Sequence, residues 1–151
     1  MSLKNQVFGL NRFLTMIYGR DTRLSLLLAN LGFDLEQIEF LRSQYLEPVA
    51  TDFLTVIKER IESFRDGERL YTILMRRVGL DGNPPDTLQC LGEEFGISRE
   101  RIRQLEKKIL RRCKHKAHVR FWEERLREIA QHRLRRFRTE NQFSQFDSIS
   151  D

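Results

Sequence analysis

Between Ser98 and Lys114 the chain sets out Arg99, Glu100, Arg101, Arg103, Gln104, Lys107, Lys108, Arg111 and Lys114 in quick succession. A guanidinium donates two parallel hydrogen bonds to a planar acceptor edge or clamps a phosphate. A carboxamide donates and accepts at once, and a carboxylate accepts from an amino group. These groups suit recognition of a patterned polar edge beside a polyanion. No recognisable nucleophile, base or metal-ligand constellation accompanies them.

Recognition of that kind needs the groups on one rigid face, and the spacing supplies it. At about 100° per residue, Ile102, Leu105 and Ile109 fall on one side of a helix. Glu100, Arg103, Gln104, Lys107, Arg111 and Lys114 form the outer stripe, flanked by Arg99, Arg101 and Lys108. Ser98 is the type that caps such a helix, and Thr87 caps a shorter one before it, with Leu88, Leu91 and Phe95 facing inward. Gly92 sits where a second helix must cross closely, and Gly96 adopts a positive φ at little cost. Ile97 then turns inward. A short helix, a glycine turn and a longer helix with a basic outer face make a helix-turn-helix over Thr87 to Cys113.

Such an outer face fits the major groove of double-stranded DNA. There arginine pairs with guanine, glutamine with adenine, and glutamate accepts from the cytosine amino group. Glu100 is informative, because a carboxylate contributes nothing to a purely phosphate-directed surface. A second account stands beside this one: Glu100 favours the positive end of its own helix or pairs with Arg103 or Gln104.

Charge is unevenly spread. Residues 1–97 carry 11 basic and 14 acidic side chains, residues 98–138 carry 16 and 5, and residues 139–151 carry none and 3. One stretch therefore holds the positive excess, which points to a polyanionic partner. No run approaches the roughly 18–20 apolar residues of a membrane span. No basic-then-apolar secretory leader is visible, and a cytoplasmic location is expected. Two cysteines, Cys90 and Cys113, make no disulfide framework and read as buried, reduced thiols on helix faces. Cys113, His115 and His118 lie close together, with Cys90 as a conceivable fourth ligand. They lack paired metal-site spacing, and Cys113 and His115 diverge on a continuous helix, so no metal and no cofactor are expected. No glycine-rich phosphate loop occurs, and no enzyme activity is expected.

The remaining chain reads as all-α. Apolar steps of three and four predict helices over about Asn5–Tyr18, with Phe8, Phe13, Met16 and Ile17 packing; from near Thr22 to Gly32; after a cap at Asp34; and up to Phe64. Asp66 is a possible cap for a further helix carrying Leu70, Ile73, Leu74 and Val78. Gly79 to Asp86 is the firmest loop. A basic helix follows from about Ala117 to Phe137, and residues 139–151 are expected to be a disordered tail. The division is thus 1–50, an N-terminal helical segment; 51–115, the helix-turn-helix domain; 116–138, the basic helix; and the tail.

The strings Asp66–Gly82 and Thr87–Arg112, above all Ser98-Arg-Glu-Arg-Ile-Arg-Gln-Leu-Glu106, resemble region 4 of the bacterial sigma-70 family, over about 51–115. The resemblance implies a compact helical domain that reads the −35 promoter element. It makes Arg99, Glu100 and Gln104 the base readers, and Arg101, Arg103 and Lys108 phosphate or positioning contacts. Lys107, Arg111 and Lys114 extend the backbone-contacting set, and Thr87 and Ser98 position the two helices. It further implies docking on the β flap of RNA polymerase, and anti-sigma proteins are partners of several relatives. Two departures matter. Cys90 stands where the family usually has an acidic residue, and no segment resembles the region that melts the −10 element. Two readings follow: a reader of promoter-like DNA in transcription initiation or its control, or an interaction module that binds polymerase or an anti-sigma-type partner without reading DNA. The last helix has no counterpart in the family. Trp122, Leu126 and Ile129 pack back on the domain, or the His132–Arg138 string touches phosphates, polymerase or another protomer. Self-association is left open.

Overall fold

A computed structural model describes the backbone of residues 3–149 and the side chains of residues 5–135. Eight helices follow one another, with no strand among the described residues: α1 (Leu3–Tyr18), α2 (Leu24–Asn30), α3 (Leu35–Gln44), α4 (Leu46–Glu62), α5 (Gly67–Val78), α6 (Leu88–Phe95), α7 (Arg99–Cys113) and α8 (Lys116–Ile149). The all-α reading is therefore correct. No helix among the described residues is long and apolar enough to cross a membrane.

The organising element is α4. Its Val49, Ala50, Phe53, Leu54, Val56, Ile57 and Ile61 are buried on more than one side. It packs against α1, α5 and α8, while α8 also lies along α3. From Trp122 every fourth described residue of α8 goes inward, giving a buried stripe of Trp122, Leu126, Ala130 and Leu134, with Ile129 partly buried against it. The Trp122 ring meets Phe13 of α1 edge-on, with centroids 5.9 Å apart, and the Tyr18 hydroxyl donates to Glu123 at 2.8 Å. The first and last helices thus share one apolar core with the helix-turn-helix.

Two local expectations need correction. In α1 the core side is Val7, Leu10, Phe13, Leu14 and Ile17, whereas Phe8 is 50% exposed and Met16 37%. The helix has more apolar residues than one face can hold, and its approach to α5 selects among them. Gly9 lies so close to the turn after α5 that a Cβ there would stand 2.2 Å from the Gly79 carbonyl oxygen. Asp66 does not cap α5 with its side chain. It occupies the left-handed region at φ 59°, and its carboxylate pairs with Arg69 at 3.1 Å. The cause is the tightness of the α4–α5 turn, in which a Cβ on Gly67 would fall 2.3 Å from the Ile61 carbonyl oxygen.

Other signals act as their residue types require. The Asp34 carboxylate accepts from the Gln37 amide at 2.8 Å, and the Gln37 side chain accepts from the Asp34 amide at 2.9 Å. This closes a reciprocal cap on α3. Finally, α8 runs through Ile149, past the expected end near Phe137. Residues 138–149 contain no proline or glycine to stop it. The expected packing of Phe137 lies outside the described side chains.

Candidate nucleic-acid interface

The helix-turn-helix is built by its own local chemistry. The Thr87 hydroxyl accepts from the Cys90 amide at 3.0 Å, and the Ser98 hydroxyl accepts from the Arg101 amide at 3.1 Å. Each satisfies one of the amides left open at a helix start. Gly96 closes α6 at φ 68°, and Gly92 is the contact point with the chain entering α7. A Cβ on Gly92 would lie 2.8 Å from the Ile97 carbonyl oxygen and 3.2 Å from the Arg99 nitrogen. Ile102, Leu105, Ile109 and Cys113 bury the inner side of α7, so rotation about its axis is fixed by packing.

That rotation determines what faces solvent. Arg99, Glu100, Arg101, Gln104, Lys107, Lys108, Arg111 and Lys114 are all exposed, and Arg103 is half-exposed. The face expected to enter a groove is covered neither by the N-terminal helices nor by α8. Within it, Arg103 Nε donates to Glu100 Oε2 at 2.9 Å. That bond holds the Glu100 carboxyl below the usual carboxylate range, with smaller help from the Arg103 and Lys107 charges. Arg101 Nη1 makes a long contact to Gln104 Oε1 at 3.4 Å. Arg99, Lys107, Lys108, Arg111 and Lys114 form no ion pair among the described residues. Of the two accounts of Glu100, the intrahelical pair is present in the isolated chain. A base contact requires that this exposed pair open.

Sequence reasoning missed the groups that hold this unit on the rest of the molecule. Arg76 Nε donates to Asp86 Oδ2 at 2.7 Å, and Arg76 also pairs with Glu94 of α6. Arg77 Nε donates to Glu106 of α7 at 3.1 Å, and its Nη1 donates to the Asp86 carbonyl oxygen at 2.7 Å. The Asp86 amide in turn donates to the Arg76 carbonyl at 2.7 Å. Two adjacent arginines at the end of α5 therefore tie down the loop, α6 and α7 together. The signal was the Arg76-Arg77 pair ahead of a turn-rich loop ending in Asp86, but its partners lie up to 29 residues away in sequence.

The cysteines and histidines are also placed. Cys113 is buried, and burial pushes its thiol up to about 12. Cys90, expected to be buried, lies exposed on α6, whose inner side is taken by Leu91 and Gly92. The Arg60 Nε donates to His118 Nδ1 at 3.1 Å, and the His118 ring rests 4.8 Å from that of Phe64.

Fold and face together define a helix-turn-helix domain whose second helix is basic, solvent-facing and held rigidly by its inner stripe. Residues 68–115 match the family model of sigma-70, region 4. Among curated proteins, the chain is 40% identical over 72 residues to RNA polymerase sigma factor SigA of a Bacillus species, a match covering 46% of this chain and 19% of the relative. It is 42% identical over 62 residues to SigA of Listeria monocytogenes, covering 40% and 17%. The matched part thus spans less than a fifth of either relative. No solved structure matches the chain.

Proposed function

We propose that this chain binds double-stranded DNA at −35-type promoter elements through α7 and acts in transcription initiation or its control. The carrying observation is the exposure of Arg99, Glu100 and Gln104 together on the first turns of a helix whose opposite face is buried. An α-helix fits the major groove, and these three side chains can distinguish base pairs there. Arg101, Arg103, Lys107, Lys108, Arg111 and Lys114 contact phosphates or steer the approach, while Thr87 and Ser98 hold the two helices in register. The SigA relatives are named RNA polymerase sigma factors, so polymerase is the protein partner in this reading.

Binding titrations against a matched −35-type duplex and a scrambled one test it. Arg99→Ala, Glu100→Ala and Gln104→Ala should each reduce discrimination between the duplexes roughly ten- to hundredfold. Lys107→Ala should weaken both duplexes equally. Equal losses on both duplexes for Arg99→Ala and Gln104→Ala defeat the base-reading assignment.

A second reading has one observation in its favour: the likeness to SigA is confined to about 40–46% of the chain and under a fifth of the relatives. On that reading the segment is an interaction module for polymerase and does not read DNA. Sequence-selective binding by the protein alone rules it out.

A further inference from the structure

The basic residues of α8 are not equivalent. Among its described middle turns, three are matched by acids of the same chain. Arg125 pairs with Glu128 at 3.0 Å, Arg127 with Glu124 at 4.0 Å, and Arg133 with Asp52 at 3.6 Å. Arg133 also lies over the Tyr45 ring. Lys116 and Arg120, in the first turns, are exposed and form no ion pair among the described residues. The same is true of Lys107, Arg111 and Lys114 on the preceding helix. A run of uncompensated cations therefore crosses the α7–α8 elbow and ends where Glu123 and Glu124 begin.

The two helices share an anchor that identifies their inward sides. Arg112 of α7 stacks over Phe64 at 4.4 Å, and His118 of α8 rests on the same ring. At about 100° per residue, Lys107 and Lys114 lie on the side of α7 away from Arg112. By the same measure Lys116 and Arg120 lie on the side of α8 away from His118. Lys107 and Lys114, and likewise Lys116 and Arg120, thus lie on the faces of their helices opposite the Phe64 contact, with Arg111 on the flank. A helix rises about 1.5 Å per residue, so α7 leaves a groove about 12 Å wide within roughly eight residues of its reading turns. Beyond that point a cation meets the flanking backbone and no longer the base edges.

We propose that Lys116 and Arg120 form, with Arg111 and Lys114, a second phosphate-binding segment that grips DNA backbone beside the element read by α7. This extends the binding site onto a helix outside the matched region 4 segment. It rests on the DNA reading above. The contribution is independent of sequence, because phosphates carry no base identity.

The experiment is a salt titration of the intact protein on a −35-type duplex with long flanks and on one trimmed to the element. Each neutralised phosphate contributes about 0.9 to the slope of log affinity against log salt. The double variant Lys116→Gln, Arg120→Gln should lower the slope by about 1–2 on the long duplex. It should weaken matched and scrambled long duplexes alike by roughly tenfold and change nothing on the trimmed one. Arg125→Gln, which removes a self-paired cation, should leave the slope unchanged. Circular dichroism on each variant reports that the helices are intact. A wild-type slope and affinity in the double variant, with base discrimination intact, overturns this inference alone. Wild-type protein that binds neither duplex overturns it together with the reading it rests on.

Discussion

The two helices α7 and α8 both carry a basic excess and put their charge to opposite uses. On α7 and its C-cap one cation is matched within the helix, Arg103 with Glu100, and Arg99, Arg101, Lys107, Lys108, Arg111 and Lys114 form no ion pair among the described residues. On α8 beyond Arg120, Arg125, Arg127 and Arg133 each have an acidic partner, and the inner stripe is buried against α4 and α3. Basic content in a sequence therefore does not locate an interface. What locates it is the set of cations the fold leaves uncompensated, because only these gain when a polyanion arrives. Within the described part of the string from His132 onward, Arg133 and Leu134 turn inward while His132 and Arg135 are exposed, and the less conspicuous start of α8 stays open.

The comparison breaks most readily at the core of α8. If that helix is chiefly structural, Leu126→Ala should cost about 2–5 kcal/mol of stability, since Leu126 is fully buried and its loss leaves a cavity between packed helices. Urea denaturation measures this. A cost under about 1 kcal/mol would mean that α8 is held loosely and that its pairing with the rest of the chain does not describe the protein in solution.

A matched pair of arginine substitutions sharpens the contrast. Arg133→Ala removes a half-buried group stacked 5.3 Å from the Tyr45 centroid and paired with Asp52. It should cost about 1 kcal/mol of stability and leave DNA affinity unchanged. Arg111→Ala should do the reverse, with no change in the urea midpoint and a roughly three- to tenfold loss of affinity on any duplex. Equal behaviour of the two variants in both assays would erase the distinction between the helices.

The fold was legible where the determinants are local. Thr87, Gly92, Gly96 and Ser98 specify the helix-turn-helix within a dozen residues, because capping and positive φ are properties of single residues and their immediate neighbours. The outer face of α7 followed from periodicity once Ile102, Leu105 and Ile109 were placed inside. What escaped was set by distant partners. Phe8 and Met16 fell outside the core because Gly9 meets the Gly79 turn. Asp66 takes a left-handed turn because Gly67 must approach α4. Arg76 and Arg77 bind Asp86, Glu94 and Glu106, and no periodicity encodes such pairings. The backbone of α8 passes Phe137 because residues 138–149 contain no proline or glycine to end it.

The smallest effect concerns the one ion pair within the reading face. Arg103 donates to Glu100 and lowers its pKa. A carboxyl depressed in the folded state stabilises that state above its ordinary pKa, and the contribution is lost as pH falls through the folded value. Both side chains are open to solvent, so water and salt screen the effect and the urea midpoint should scarcely move with pH on this account. The informative measurement is a carboxyl NMR titration. Glu100 should titrate below the usual carboxylate range, rise toward it in Arg103→Gln, and rise in the same way as salt is added. If Glu100 titrates normally in the wild type, the pair does not persist in solution. Then α7 carries no self-compensation at all, Arg103 joins the uncompensated cations, and a base contact by Glu100 requires no pair to open.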